Sequence, residues 1–134
     1  MAGAMDTLGA HRILHGVLAA HDPWLVERLA REKICLDICP SSNLLLNVFP
    51  SVQAHPLPVL LDAGVPCDLG SDDPLLFGPN LLDEFVQCRE EMGLSDAQLA
   101  TMARTSFEYS GAPQAVKEAG ITEVEQWLCR GVHQ

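Results

Sequence analysis

The chain has 134 residues, of which 48% are hydrophobic and 19% charged, and a formal net charge of −10. This fits one ordinary globular domain, residues 1–134, with enough apolar side chains for a core of its own. The negative charge and the absence of any Lys/Arg run argue against nucleic acid, whose phosphates need basic clusters. No apolar stretch approaches the roughly 20 residues that span a bilayer. The N-terminus has no basic segment followed by an apolar run, so we expect no signal peptide and a cytosolic protein. Five cysteines, an odd number without Cys-x-x-Cys spacing, are expected as reduced, mostly buried small side chains.

Taken in order, residues 1–10 read as a helix stopped by Gly9, and Arg12-Ile-Leu-His15-Gly16 as a short strand over about 11–15. Asp22-Pro23 is a helix start, Asp as N-cap and Pro at the first helical position. Trp24, Leu25, Leu29 and Ala30 form its apolar face up to Lys33. A second strand covers about 34–39. The segment 40–54, with Pro40, Asn43, Asn47 and Pro50, reads as a long loop, a length that in compact domains is often functional. A short helix near 56–63 ends at Gly64, and a third strand over about 65–70 leads into Ser71-Asp72-Asp73-Pro74. A helix near 80–92 turns Leu81, Leu82, Phe85, Cys88 and Met92 to one side and stops at Gly93. Ser95 with Gln98 is a capping box, opening a helix with Leu99, Met102, Ala103 and Phe107 inward. Thr122 with Glu125 is read as the cap of a last short helix to about Arg130.

Strands alternating with helices imply an α/β fold with parallel strands and right-handed crossovers. In such sheets ligands bind beyond the carboxyl ends of the strands. His15, the Ser41-Ser42-Asn43 run, and Asp72 with Asp73 all fall there. A carboxylate at that mouth suits a zinc-type metal, and a second can accept a hydrogen bond from a substrate N–H or take a proton from water. Taken alone, an Asp-Asp-Pro is more often a turn or helix cap, and a lone histidine such as His15 more often a core or surface one. Three successive polar strand ends favour one shared site. Asp37, mid-strand among apolar neighbours, must be paired, raised in pKa, set in a polar barrel interior or turned to solvent. His11, His21, His55 and His133 are read as solvated or structural.

Four motifs, Arg12-Ile-Leu-His15-Gly16, Cys39-Pro40-Ser41-Ser42-Asn43, His55-Pro56 and Ser71-Asp72-Asp73-Pro74, resemble in order and approximate spacing those of the adenosine deaminase family of metal-dependent amidohydrolases. The likeness covers about residues 6–110. The resemblance implies a TIM-barrel enzyme with zinc at its C-terminal mouth that converts adenosine to inosine and ammonia. Asp72 then resembles the aspartate ligand of the zinc, and Asp73 the acid that hydrogen-bonds the purine. His15 resembles the histidine that orients the attacking water. Ser71, Ser42 and Asn43 are secondary candidates.

The departures are equally specific. The family's early His-x-His strand and its His-Ala-Gly-Glu strand do not occur here, so one of four zinc ligands is present and the proton-shuttling glutamate is missing. Leu14 stands where glycine usually precedes the catalytic histidine and is expected to crowd the mouth. A full barrel needs about 250 residues, and this chain supplies a partial barrel: the last three βα units plus C-terminal helices. The expected function is zinc-dependent deamination of adenosine to inosine and ammonia in the complete enzyme. This chain is then a truncated product, a fragment or one half of a split enzyme, inactive or nearly so alone. The partners to expect are a complementing N-terminal chain or further copies of itself. The alternatives are a deaminase of adenine or a modified nucleoside, and a non-catalytic purine-binding or assembly module. Open strand edges also lead us to expect self-association.

Overall fold

A computed structural model describes residues 1–131. Three parallel strands, β1 (Arg12–Leu14), β2 (Cys35–Ile38) and β3 (Cys67–Leu69), form a sheet in the order β1-β2-β3. Around it lie α1 (Ala2–Leu8), α2 (Pro23–Glu32), α3 (Pro40–Leu45), α4 (Leu57–Asp62), α5 (Pro74–Phe77), α6 (Leu81–Glu90), α7 (Asp96–Glu108) and α8 (Gln114–Gly131). The fold is thus mixed α/β with a small parallel sheet and many helices, as the alternation of elements implies.

Register decides which side chains share a face. Arg12 pairs with Cys35 and Leu14 with Asp37, while Asp37 pairs with Asp68 and Ile38 with Leu69. Paired residues of parallel strands point the same way and neighbours along a strand alternate. One face therefore carries Ile13, Leu36, Ile38, Cys67 and Leu69 into a core shared with Leu29, Leu57, Leu60 and Met102. The opposite face carries Arg12, Asp37 and Asp68, and there Arg12 Nε donates to Asp37 at 2.5 Å and Nη2 to Asp68 at 2.7 Å.

Local signals hold where they are self-contained. Asp22 caps α2 by accepting from the Trp24 and Leu25 N–H groups. Ser95 and Gln98 form their reciprocal box, and Asn80 with Asp83 forms a second. Four expectations are corrected. The segment 40–54 is not a plain loop, because Pro40 starts α3 and a 3-10 turn forms at Val52–Ala54. On α6 Leu81 and Leu82 are exposed, and the inward positions are Glu84 and Cys88. On α2 Trp24 lies outside, under the Arg28 guanidinium, and Val26 is buried instead. Thr122 does not start a helix. Its hydroxyl donates back to the Glu118 carbonyl within the continuous α8, the bond Ser and Thr make when a helix runs through them.

Candidate active site

The three strands end side by side, and the chain turns sharply after β1 and after β3. His15, just after β1, has φ 58°, and Asp72, three residues after β3, has φ 56°. Left-handed backbone is uncommon for residues other than glycine, and it persists where surrounding structure imposes it, often at functional sites. The turn brings the two side chains together, with His15 Nε2 3.5 Å from Asp72 Oδ2. Both are partly open to solvent, at 31% and 27% side-chain exposure. Gly16 follows with φ 70°, and a Cβ there would stand 2.8 Å from Leu36. A side chain at that position would push against the core beneath His15.

Cys39, the residue after β2, completes a cluster in which one atom each of His15, Cys39 and Asp72 lies within 4.8 Å of the others. The motif reading had placed Cys39 among the buried small residues. Burial indeed pushes its thiol up to about 12, helped by the Asp72 carboxylate. Its position at a strand end, just before Pro40, was the available signal.

Asn43 is buried at the first turn of α3. Its Nδ2 lies 3.2 Å from His15 Nδ1, and its Oδ1 lies 3.1 Å from His55 Nε2. His55, read as solvated or structural, is buried, packs beside the Phe49 ring, and accepts at Nδ1 from the Leu57 N–H at 3.2 Å. Burial lowers its pKa to about 4, so the ring is neutral at ordinary pH. An open pocket of about 490 Å³ runs alongside, lined by His15, Asn43 and apolar residues including Val17, Leu18 and Leu46.

The other nominated residues lie differently. Asp73 is exposed, and its Oδ1 caps α5 by accepting from the Leu75 N–H at 3.0 Å. Ser71 is half-buried beside it. Ser42 is fully buried, and its hydroxyl donates to the Cys39 carbonyl at 3.2 Å. Leu14 is exposed and does not keep His15 from Asp72. His11 and His21 are exposed, and His133 lies outside the described residues. Glu84, which the motifs did not single out, is fully buried, and its Oε2 accepts from the Ser41 N–H at 3.2 Å.

The donor set of a mouth with one carboxylate, one imidazole and one thiol suits a zinc-type ion. It also falls short of a closed site, since the cluster offers three donors where a closed tetrahedral zinc site has four.

Comparison with known proteins shows what the chain is similar to. Residues 1–127 match the family model for adenosine deaminase. An adenine deaminase from Cupriavidus necator is 44% identical over 92% of this chain and 35% of its own length. An adenosine deaminase from Shewanella denitrificans is 46% identical over 78% of this chain and 32% of its own length. The crystal structure of an adenine deaminase from Arthrobacter aurescens superposes with a TM-score of 0.91 and 35% identity, covering 95% of this chain and 39% of that one. An amidohydrolase from Burkholderia ambifaria, solved with bound zinc, shares the fold at a TM-score of 0.83 and 21% identity, over 98% of this chain and 38% of its own. The chain therefore spans about a third of the length of the curated relatives it matches. With residues 1–127 matching the family model and relatives at 44–46% identity, the chain belongs to the adenosine deaminase family.

Proposed function

We propose that this chain is the C-terminal portion of a zinc-dependent purine deaminase. In this reading residues 1–134 are one unit that supplies the last three βα units of a TIM barrel and its closing helices. The complete protein replaces the 6-amino group of adenosine or adenine with oxygen from water, releasing ammonia. The observation that carries this is the approach of His15 Nε2 to Asp72 Oδ2, 3.5 Å, from two different strand ends.

Asp72 holds the metal together with ligands from outside this chain. When bound, zinc supplies hydroxide near neutral pH, because it lowers the pKa of water to about 7. His15, held against Asp72, orients the attacking water and faces the charge that develops at the purine C6. Asp73 caps α5 through Oδ1, which leaves Oδ2 for a purine N–H. Asn43 acts on His15 rather than on the substrate, and Ser42 holds the Cys39 backbone in place. Ser71 sets the approach of Asp72. The relatives' names divide between adenosine and adenine, so the substrate class is a 6-aminopurine, free or as its nucleoside. Localisation follows as cytoplasmic for an enzyme of purine metabolism.

The test is ammonia release from adenosine and from adenine with added zinc, with and without a chelator. The purified chain is assayed alone and mixed with the N-terminal two thirds of the Cupriavidus relative. We expect no turnover alone and chelator-sensitive turnover in the mixture, lost again with Asp72→Ala. A mixture that assembles, binds zinc and still releases no ammonia would overturn the reading. Purine binding in that inactive mixture would mark a non-catalytic purine-binding module instead.

A further inference from the structure

We propose that Asn43 and His55 are positioning residues that fix which ring nitrogen of His15 carries its proton. The inference rests on the reading above for its role, but its chemistry stands on hydrogen bonds alone.

The chain of donors starts at a group that cannot reverse. The Leu57 backbone N–H can only donate, and it points at His55 Nδ1 at 3.2 Å. That nitrogen is therefore the bare one of a neutral ring, and Nε2 carries the proton. His55 Nε2 lies 3.1 Å from Asn43 Oδ1, so it donates there. The amide orientation follows: the Asn43 NH₂ group faces His15 Nδ1 at 3.2 Å and donates to it. His15 Nδ1 is thus an acceptor, and the proton of the neutral ring sits on Nε2, which faces Asp72 Oδ2 at 3.5 Å.

Three features make the relay a built arrangement. His55 and Asn43 are both buried, at 5% and 2% exposure. Phe49 packs on the His55 ring at 5.2 Å between centroids. Desolvation keeps the His55 ring neutral, the form the relay needs. A polar pair buried this fully holds its geometry because leaving either group unpaired is costly. The consequence for the site is a His15 that presents an N–H, not a lone pair, toward Asp72 and anything bound beside it. Histidines beside metals are commonly set in this way by the hydrogen bond at the other nitrogen.

The tautomers are read by nitrogen NMR of the five imidazoles in the labelled chain. The spectra are taken at mildly alkaline pH, above the ordinary histidine pKa of about 6.5, with signals assigned through His15→Gln and His55→Gln. We expect both His55 and His15 to carry the proton on Nε2 as single fixed tautomers. In Asn43→Asp, whose carboxylate only accepts, the His15 proton should move to Nδ1 while that of His55 stays. A His55 protonated on Nδ1, an averaged His15 ring in the wild-type chain, or an unmoved His15 proton in a folded Asn43→Asp chain would each overturn the proposal. If Asn43→Asp does not fold, the two wild-type tautomers decide. This readout needs neither zinc nor turnover. Fixed tautomers together with no ammonia release from the mixture with the N-terminal two thirds of the Cupriavidus relative count against the functional reading alone, and turnover in that mixture with a mobile His15 tautomer counts against the relay alone.

Discussion

Asp68 is 2% exposed on the polar face of the sheet, and its Oδ1 has no hydrogen-bond partner among the described residues. Burial, with the adjacent Asp37 carboxylate, outweighs the Arg12 guanidinium and raises its pKa to about 7. Between about pH 4, where it titrates unfolded, and pH 7 the folded chain holds a proton the unfolded chain has lost, so this group makes stability fall as pH rises. His55 does the opposite. Its folded pKa is about 4 against about 6.5 unfolded, so between those values the unfolded chain holds the extra proton and stability rises with pH. The two effects oppose one another over that interval. Relative to wild type, between about pH 4.5 and 6.5 we expect the urea midpoint to rise more with pH in Asp68→Asn and to fall more in His55→Gln. Parallel curves for all three would sink the argument. Glu84, also raised by burial, contributes equally to all three curves. Asp37 shows why such residues were hard to read. Its neighbours along the chain are apolar, and its partner Arg12 lies 25 positions away. Only strand register joins them, and no single segment of sequence contains that register.

Elements were legible where the signal was local and misread where it came from a neighbouring element. The Ser95–Gln98 box lies within one turn and was read correctly. The α6 face was not, because Glu84 turns inward to meet the Ser41 N–H from a different element. Leu81 and Leu82 consequently face out. The α8 start was misplaced because Thr122 resembles a cap in sequence yet back-bonds within the helix. Gly120 supplies a test of how α8 is held. A Cβ there would stand 2.3 Å from the Phe107 ring of α7, whereas one at Gly3 in α1 meets nothing within 4 Å. Alanine favours a helix over glycine by about 1 kcal/mol, but overpacking costs about 1–3 kcal/mol. The same substitution should then act with opposite signs. Gly120→Ala is expected to lower stability by about 1 kcal/mol, and Gly3→Ala to leave it unchanged or raise it by a few tenths. Equal gains in urea midpoint at both positions would show that α7 and α8 do not meet through Phe107.

At the scale of the whole molecule the candidate site is drawn from three strand ends and the segments that follow them. The strand-end motifs were legible because each lies in one stretch of chain and the parallel topology lines the stretches up. The Asn43–His55 contact was not, because it needs α3 and the turn before α4 folded against each other. The sheet edges shape the surface. Among the described residues β1 and β3 each pair on one side only, leaving backbone donors and acceptors that another strand can use. Around them Leu14, Leu75 and Leu76 are 64%, 100% and 73% exposed. Apolar side chains exposed beside open strands lower the free energy of any association that covers them. The net charge of −10 opposes this at long range, but salt shortens that repulsion to about 10 Å at 0.1 M. The isolated chain should therefore self-associate, and more strongly as salt rises. Light scattering behind a sizing column should report masses above the monomer, shifting upward between low and moderate salt. If the chain is part of a barrel as proposed, addition of the N-terminal two thirds of a relative should compete, because it would cover the edges and the leucines in place of other copies. A monodisperse monomer at all salt concentrations would mean that the three strands close on themselves in solution. The exposed leucines would then have to be covered by a rearrangement of α5.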